Sequence, residues 1–150
     1  MTKEDAAILE KLKQWFPPRK CVLAVLVTLA FWGLYVWSGR NQVGYFQQWL
    51  ARQPLWPGWL AAVLLVCWDK WAVAAALTVG FTAGVPVAQM LGDRLDAHYA
   101  ALITPEMTAE QLHRYGPKHA FIWWGAIAVC VLVGILIQII VWVWRKRRPR

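Results

Sequence analysis

The sequence predicts an all-α, polytopic integral membrane protein. Hydrophobic residues make up 59% of its 150 residues, compared with about 45–50% in soluble domains. They form long uninterrupted blocks instead of the alternating or helical periodicity of a soluble core. The block 120–144 has no charged residue, and a basic cluster follows it directly, formed by Arg145, Lys146, Arg147 and Arg148. About twenty apolar helical residues cross the hydrocarbon core of a bilayer, so this block predicts a membrane span anchored by a basic cytoplasmic tail, 145–150.

The N-terminal residues 1–20 predict a cytoplasmic amphipathic helix. Leu9, Leu12 and Phe16 fall on one helical face, and the prolines at 17 and 18 end the helix because proline lacks a backbone donor. We expect this helix to lie in the headgroup layer, where its basic residues attract anionic lipid. Packing against the protein's own inner face is the alternative.

The remaining residues, 21–150, predict a membrane domain. The apolar block 59–91 is interrupted only by Asp69 and Lys70. As one helix this block would be about 50 Å long, and each charge would cost about 2.5–3.5 kcal/mol at the bilayer centre. We therefore predict a helical hairpin with Asp69 and Lys70 in its turn and Asp69 as N-cap of the returning helix. The predicted spans are about 21–38, 54–68, 71–91 and 120–144.

Charge distribution favours four spans with both termini in the cytoplasm. In this arrangement eleven Lys and Arg residues lie inside and five outside, as expected from the positive-inside rule. Three spans, the second choice, give eight against seven. The segment 54–68 is short for a full crossing, so a re-entrant segment remains an alternative. The predicted location is the plasma membrane, namely a bacterial inner membrane.

Small residues recur at every fourth position of the third span. The bilayer offers little hydrophobic drive between helices, so small residues that let two backbones approach closely become a main source of attraction. The sequence therefore predicts GxxxG-type packing through this face, either with a helix of the same chain or with a helix of another. The predicted packing residues are Ala76, Gly80, Gly84, Ala88 and Gly92, with Gly134 in the fourth span.

Polar residues concentrate in the predicted extracytoplasmic loop, 92–119, which should contain a short helix at 109–115. The loop has the main candidates for metal binding or acid–base chemistry: Asp93, Asp96, His98, Glu106, Glu110, His113 and His119. They match no recognised ligand spacing, so we expect solvated side chains on a recognition surface, without a metal ion or a cofactor.

Function is predicted only as a class. No catalytic motif is present, and the predicted spans contain no charged residue that would mark a transport pathway. We expect a non-enzymatic scaffold, assembly factor or accessory subunit whose partners are the lipid bilayer and either a second copy or another membrane protein. A small oligomeric transporter or channel is the alternative. Nucleic-acid binding is not expected, because ten of the sixteen Lys and Arg residues flank hydrophobic blocks at the two ends.

Overall fold

The computed structural model describes residues 17–40, 44–110 and 115–147. Every regular element in these ranges is a helix, and their order is α1 (Pro18–Arg40), α2 (Tyr45–Arg52), α3 (Trp56–Cys67), α4 (Trp71–Ala100) and α5 (His119–Arg147). Most of the predicted N-terminal amphipathic helix, residues 111–114 of the predicted loop helix, and Arg148 lie outside the described residues.

The helices α1, α4 and α5 are each long and apolar enough to cross a membrane. The short helices α2 and α3 meet at a bend of 64°, and together they could make a fourth, broken span. With 12 residues, α3 alone is about 18 Å long, less than the hydrocarbon thickness of about 30 Å. The described chain is thus a helical bundle with three candidate spans, or four if the bent pair counts as one.

The chain reverses between α3 and α4 through a Schellman turn. The Lys70 amide donates to the Leu65 carbonyl at 2.8 Å and the Asp69 amide to the Val66 carbonyl at 3.1 Å, the pair of bonds that defines this helix ending. Asp69 has φ 58°, a left-handed conformation that Asp tolerates better than most residues.

The prediction that Asp69 caps α4 is wrong. Lys70 occupies the N-cap position, and no side chain caps the helix from there. A left-handed residue that ends one helix cannot also take the extended conformation of an N-cap. The Asp69 carboxylate instead accepts a hydrogen bond from Lys20 Nζ at 2.7 Å, and this bond joins the turn to the beginning of α1.

The helix α4 is longer than the predicted span, because it continues to Ala100 where the span was expected to end near residue 91. Its 30 residues extend about 45 Å. As a consequence Asp93, Asp96 and His98, expected in a loop, lie on its last turns.

The small residues of α4 face α5 along most of its length. A Cβ atom at Gly80 would lie 2.9 Å from Ile127 Cα, and one at Gly84 would lie 3.1 Å from Trp123 Cδ1. From the other side, a Cβ atom at Gly134 would lie 3.0 Å from the carbonyl oxygen of Ala72. Such distances leave no room for larger side chains, so the two backbones approach closely, and the helix opposite this face belongs to the same chain.

The centre of the bundle is filled by aromatic side chains. Trp123 is 1% exposed, and its indole nitrogen donates to the Phe81 carbonyl at 3.2 Å. The Phe81 ring contacts the Trp123 ring at 5.3 Å and the Phe31 ring at 5.1 Å between centroids. Trp49 of α2 approaches Trp123 edge-on at 6.0 Å. These contacts join all three long helices to the short α2.

Candidate functional site

A cluster of ionisable side chains lies where α4 and α5 meet near residue 119, at the opposite end of the bundle from the Asp69 turn. His119 is the first residue of α5. Asp93 and Asp96 are three residues apart on α4, so their side chains share one helical face. His119 Nε2 lies 3.0 Å from Asp93 Oδ1, and His119 Nδ1 lies 3.7 Å from Asp96 Oδ2. The imidazole is therefore held between two carboxylates, one at each ring nitrogen.

The position of the imidazole depends on a glycine and an aromatic ring that pack against it. A Cβ atom at Gly92 would overlap the His119 ring, so only glycine leaves space for it at this position. The Phe46 ring of α2 stacks on the imidazole with 5.6 Å between centroids. Enclosed in this way, the His119 side chain is only 8% exposed.

Two polar atoms of the cluster are buried without a hydrogen-bond partner among the described residues, namely His119 Nδ1 and Asp96 Oδ1. The 3.7 Å separation of Nδ1 from Asp96 Oδ2 is too long for a hydrogen bond. An ionised carboxylate only accepts, so the hydrogen bond between His119 and Asp93 places a hydrogen on Nε2. In the tautomer with a ring hydrogen on Nε2 alone, His119 Nδ1 and Asp96 Oδ1 are both acceptors without a donor among the described residues.

A cleft of about 220 Å³ opens beside the cluster. Its floor includes a pair of amide side chains from α2 and α4, since Gln47 Nε2 donates to Gln89 Oε1 at 3.1 Å. Gln47 also accepts the Gly44 amide through Oε1 at 3.1 Å, which orients its amide group. The residues that line the cleft are Gly44, Tyr45, Phe46, Gln47, Gln89, Asp93, Asp96, Pro117 and His119.

The geometry does not suit a metal ion. No group of three or more His, Cys, Asp or Glu side chains within 17–40, 44–110 and 115–147 is placed to hold one. The physical reason is that Asp93 and Asp96 approach different nitrogens of His119, whereas the ligands of a metal converge on one point. The arrangement can bind a positively charged group that donates hydrogen bonds.

The other sequence candidates lie apart from this cluster. His98 is exposed on α4, Glu106 and Glu110 are exposed in the following segment, and His113 is outside the described residues. At the far end of α5, Arg145, Lys146 and Arg147 are all exposed.

The expectation of solvated loop side chains is wrong for His119, because α5 begins one residue earlier than the predicted span and Phe46 covers the ring. Sequence reasoning also missed the contribution of α2, namely Phe46 and Gln47. One signal was available: Gln89, Asp93 and Asp96 follow each other at helical spacing and continue along α4 beside Ala88 and Gly92.

No protein-family model, curated protein or solved structure matches this chain.

Proposed function

We propose that this protein is a non-enzymatic accessory or assembly subunit of the plasma membrane, which binds another membrane protein through the open face of α5. In this proposal the chain crosses the bilayer four times, with the bent pair α2 and α3 as one crossing and both termini in the cytoplasm. The positive-inside rule supports this orientation, since eleven basic residues lie inside and four outside, with Arg52 at the end of α2 within the bent pair.

The observation that carries the proposal is how little of α5 its own chain covers. Only four of its 29 residues are buried, and they form a single stripe: His119, Trp123, Ile127 and Gly134. On the rest of the helix, large apolar side chains are open, among them Val129, Leu132, Val133, Leu136 and Ile140. A helix of bilayer length with this surface needs lipid or another membrane helix around it.

A small residue on the open face provides a point of close approach. Gly125 is exposed, and a Cβ atom there would meet nothing within 4 Å. Ala128, one turn later, is exposed as well. A helix of another protein could bring its backbone close at this point, because small residues favour contact between membrane helices.

The polar side chains within the long helices argue against a pore. Thr28, Thr78 and Thr82 each donate to a carbonyl one turn earlier in their own helix at 2.8 Å. Hydroxyl groups bonded in this way offer no continuous polar path. A pore built by several copies would need a polar face, whereas the open face of α5 is apolar.

One observation favours the alternative of a small transporter or channel that forms its pathway by oligomerising. The cluster of His119, Asp93 and Asp96 places ionisable groups at one end of the bundle, and ionisable groups near a membrane commonly mark a substrate or proton pathway. Further into the bundle, the buried side chains of Trp123 and Phe81 fill the space between the helices, so no path continues from this cluster among the described residues.

Native mass spectrometry of the full-length protein, purified in mild detergent, tests the proposal. We expect a stoichiometric complex with a different membrane protein, lost in Gly125→Leu and kept in Gly33→Leu, since Gly33 is also open but lies on α1. A defined homo-oligomer that conducts ions in proteoliposomes would support the channel instead. A monomer, with no partner in either mild detergent or nanodiscs, would contradict both.

A further inference from the structure

We propose that the cleft beside His119 is a binding site for a small organic ammonium ion, of the size of methylammonium or ethanolamine. This inference does not depend on the subunit role proposed above. At this site two buried polar atoms have no partner, and two carboxylates have no Lys or Arg beside them, among the described residues that line the cleft.

Hydrogen bonding at the site is incomplete among the described residues. His119 Nδ1 and Asp96 Oδ1 are buried, and neither has a partner among the described residues. Leaving a buried polar group unsatisfied costs about 1–3 kcal/mol. With a ring hydrogen on Nε2 alone, both atoms are acceptors, and the group that completes this tautomer is a donor. A primary ammonium has three N–H groups and can donate to both atoms while keeping one hydrogen for Gln89 or water.

Carboxylate side chains line the cleft. Asp93 and Asp96 both line the cleft, and none of the described residues that line it is Lys or Arg. The Asp96 side chain is 39% exposed and the Asp93 side chain 65% exposed, so the negative charge is open to a ligand that arrives from solvent. A cation satisfies this charge, whereas water supplies the donors alone.

The size and lining of the cleft suit a small organic cation. The cleft holds about 220 Å³, and a water molecule has about 30 Å³ in the liquid, so a ligand of a few non-hydrogen atoms fits. Tyr45 and Phe46 supply aromatic surface on the α2 side, and aromatic rings attract ammonium ions. A bare metal ion is disfavoured because the carboxylates face different nitrogens of the imidazole.

Thermal unfolding of the full-length protein in detergent, followed by tryptophan fluorescence, tests the site. At fixed pH and equal ionic strength, methylammonium chloride and ethanolamine hydrochloride should raise Tm in a saturable way. Sodium chloride should not, and tetramethylammonium chloride should act weakly because it has no N–H donor. Asp96→Asn should weaken the apparent affinity about tenfold, because the acceptor loses the negative charge that strengthens its hydrogen bond to an ammonium ion. Asp69→Asn, at the opposite end of the bundle, should leave the ammonium effect unchanged.

A second readout does not depend on any variant folding. In the wild-type protein labelled with ¹⁵N-histidine, methylammonium should shift the resonance of one imidazole Nδ1 and leave the exposed His98 unaffected. The proposal is overturned if no saturable change occurs up to about 10 mM methylammonium. This concentration is about ten times a millimolar Kd, which corresponds to about 4 kcal/mol of binding free energy. It is equally overturned if sodium chloride produces the same change as methylammonium chloride. A change with pH and with neither amine would also overturn it, since the group that completes the site would then be a proton.

Discussion

The side-chain amide of Gln138 bridges the two sides of the turn at Asp69. Gln138 Nε2 donates to the Asp69 carbonyl at 3.3 Å, and Gln138 Oε1 accepts the Ala72 amide at 3.3 Å. Both are backbone groups that a helix end leaves without an internal partner. The capping side chain therefore comes from α5, sixty-six positions away from Ala72 in the sequence, and not from a residue next to the turn. This contact links the closely packed pair α4 and α5 to the turn that also binds Lys20.

Gln138→Leu should destabilise the hairpin. The substitution keeps a side chain of comparable volume but removes both hydrogen bonds, and leaves the Ala72 amide and the Asp69 carbonyl unsatisfied. We expect a loss of about 1–3 kcal/mol in the free energy of unfolding, measured by denaturation with SDS in mixed micelles. Leu136→Ala is the control, because Leu136 is 59% exposed and its truncation should have little effect. Equal stability of Gln138→Leu and the wild type would show that the bridge is not energetically significant.

Leucine substitutions at Gly80 and Gly125 should have opposite outcomes for folding. A side chain at Gly80 would meet the Ile127 backbone, whereas one at Gly125 would meet nothing within 4 Å. We expect Gly80→Leu to prevent close packing of α4 and α5 and to lower Tm strongly, with Gly125→Leu close to wild type as a monomer in detergent. If both leucine variants have the wild-type Tm, the small-residue face does not hold the bundle together.

Local sequence rules predicted the helices well where a physical requirement acts on a single segment. The length of the apolar block 120–144 requires a long helix, and the cost of burying Asp69 and Lys70 requires a turn between two helices. The same rules failed for the cap of α4, because they considered only residues near Asp69. The group that satisfies the backbone there is Gln138, and its contact is visible only after α4 and α5 are packed.

The candidate site was less predictable because it depends on three separate segments. Asp93 and Asp96 were both identified as candidates, but the segment expected to be a loop is helical, which fixes both on the face next to His119. The short helix α2 brings Phe46 over the imidazole, and its amphipathic surface gave no indication of which residue it would cover. Gly92 was assigned to packing between helices, and the structure shows that the group packed against it is a histidine ring.

Topology can be tested by reporter fusions that are active only in the cytoplasm. Fusions after Arg150 and within the turn after Asp69 should be active, and a fusion in the segment 101–110 should be inactive. The reason is the excess of basic residues at both termini. A C-terminal cysteine that reacts with a membrane-impermeant reagent added outside the cell would place the C-terminus outside, and would favour three crossings with α2 and α3 on one side of the bilayer.

Gly92→Ala should separate the imidazole from its carboxylate partners. The added methyl group would overlap the His119 ring, so either the ring or α5 must move, at a cost of about 1–3 kcal/mol for overpacking. Gly39→Ala is the matched control because a Cβ atom at Gly39 meets nothing within 4 Å. We expect a lower Tm for the first variant alone. A wild-type Tm and an unchanged ¹⁵N spectrum of His119 in Gly92→Ala would show that the ring does not pack as closely as described.

Histidine substitutions distinguish a buried structural imidazole from solvated loop side chains and from a metal ligand. His119→Gln should remove the stacking on Phe46 and weaken the contact with Asp93, which lies 3.0 Å from the ring. A hydrogen bond to a charged group contributes about 1.5–3 kcal/mol, so Tm should fall clearly. His98→Gln, an exposed position on the same helix as Asp93, should have the Tm of the wild type.

Because the geometry of the site does not suit a metal ion, EDTA should change the Tm of neither variant nor of the wild type. A Tm that falls with EDTA in the wild type but not in His119→Gln would instead identify His119 as a metal ligand, and would require Asp93 and Asp96 to rearrange around the ion.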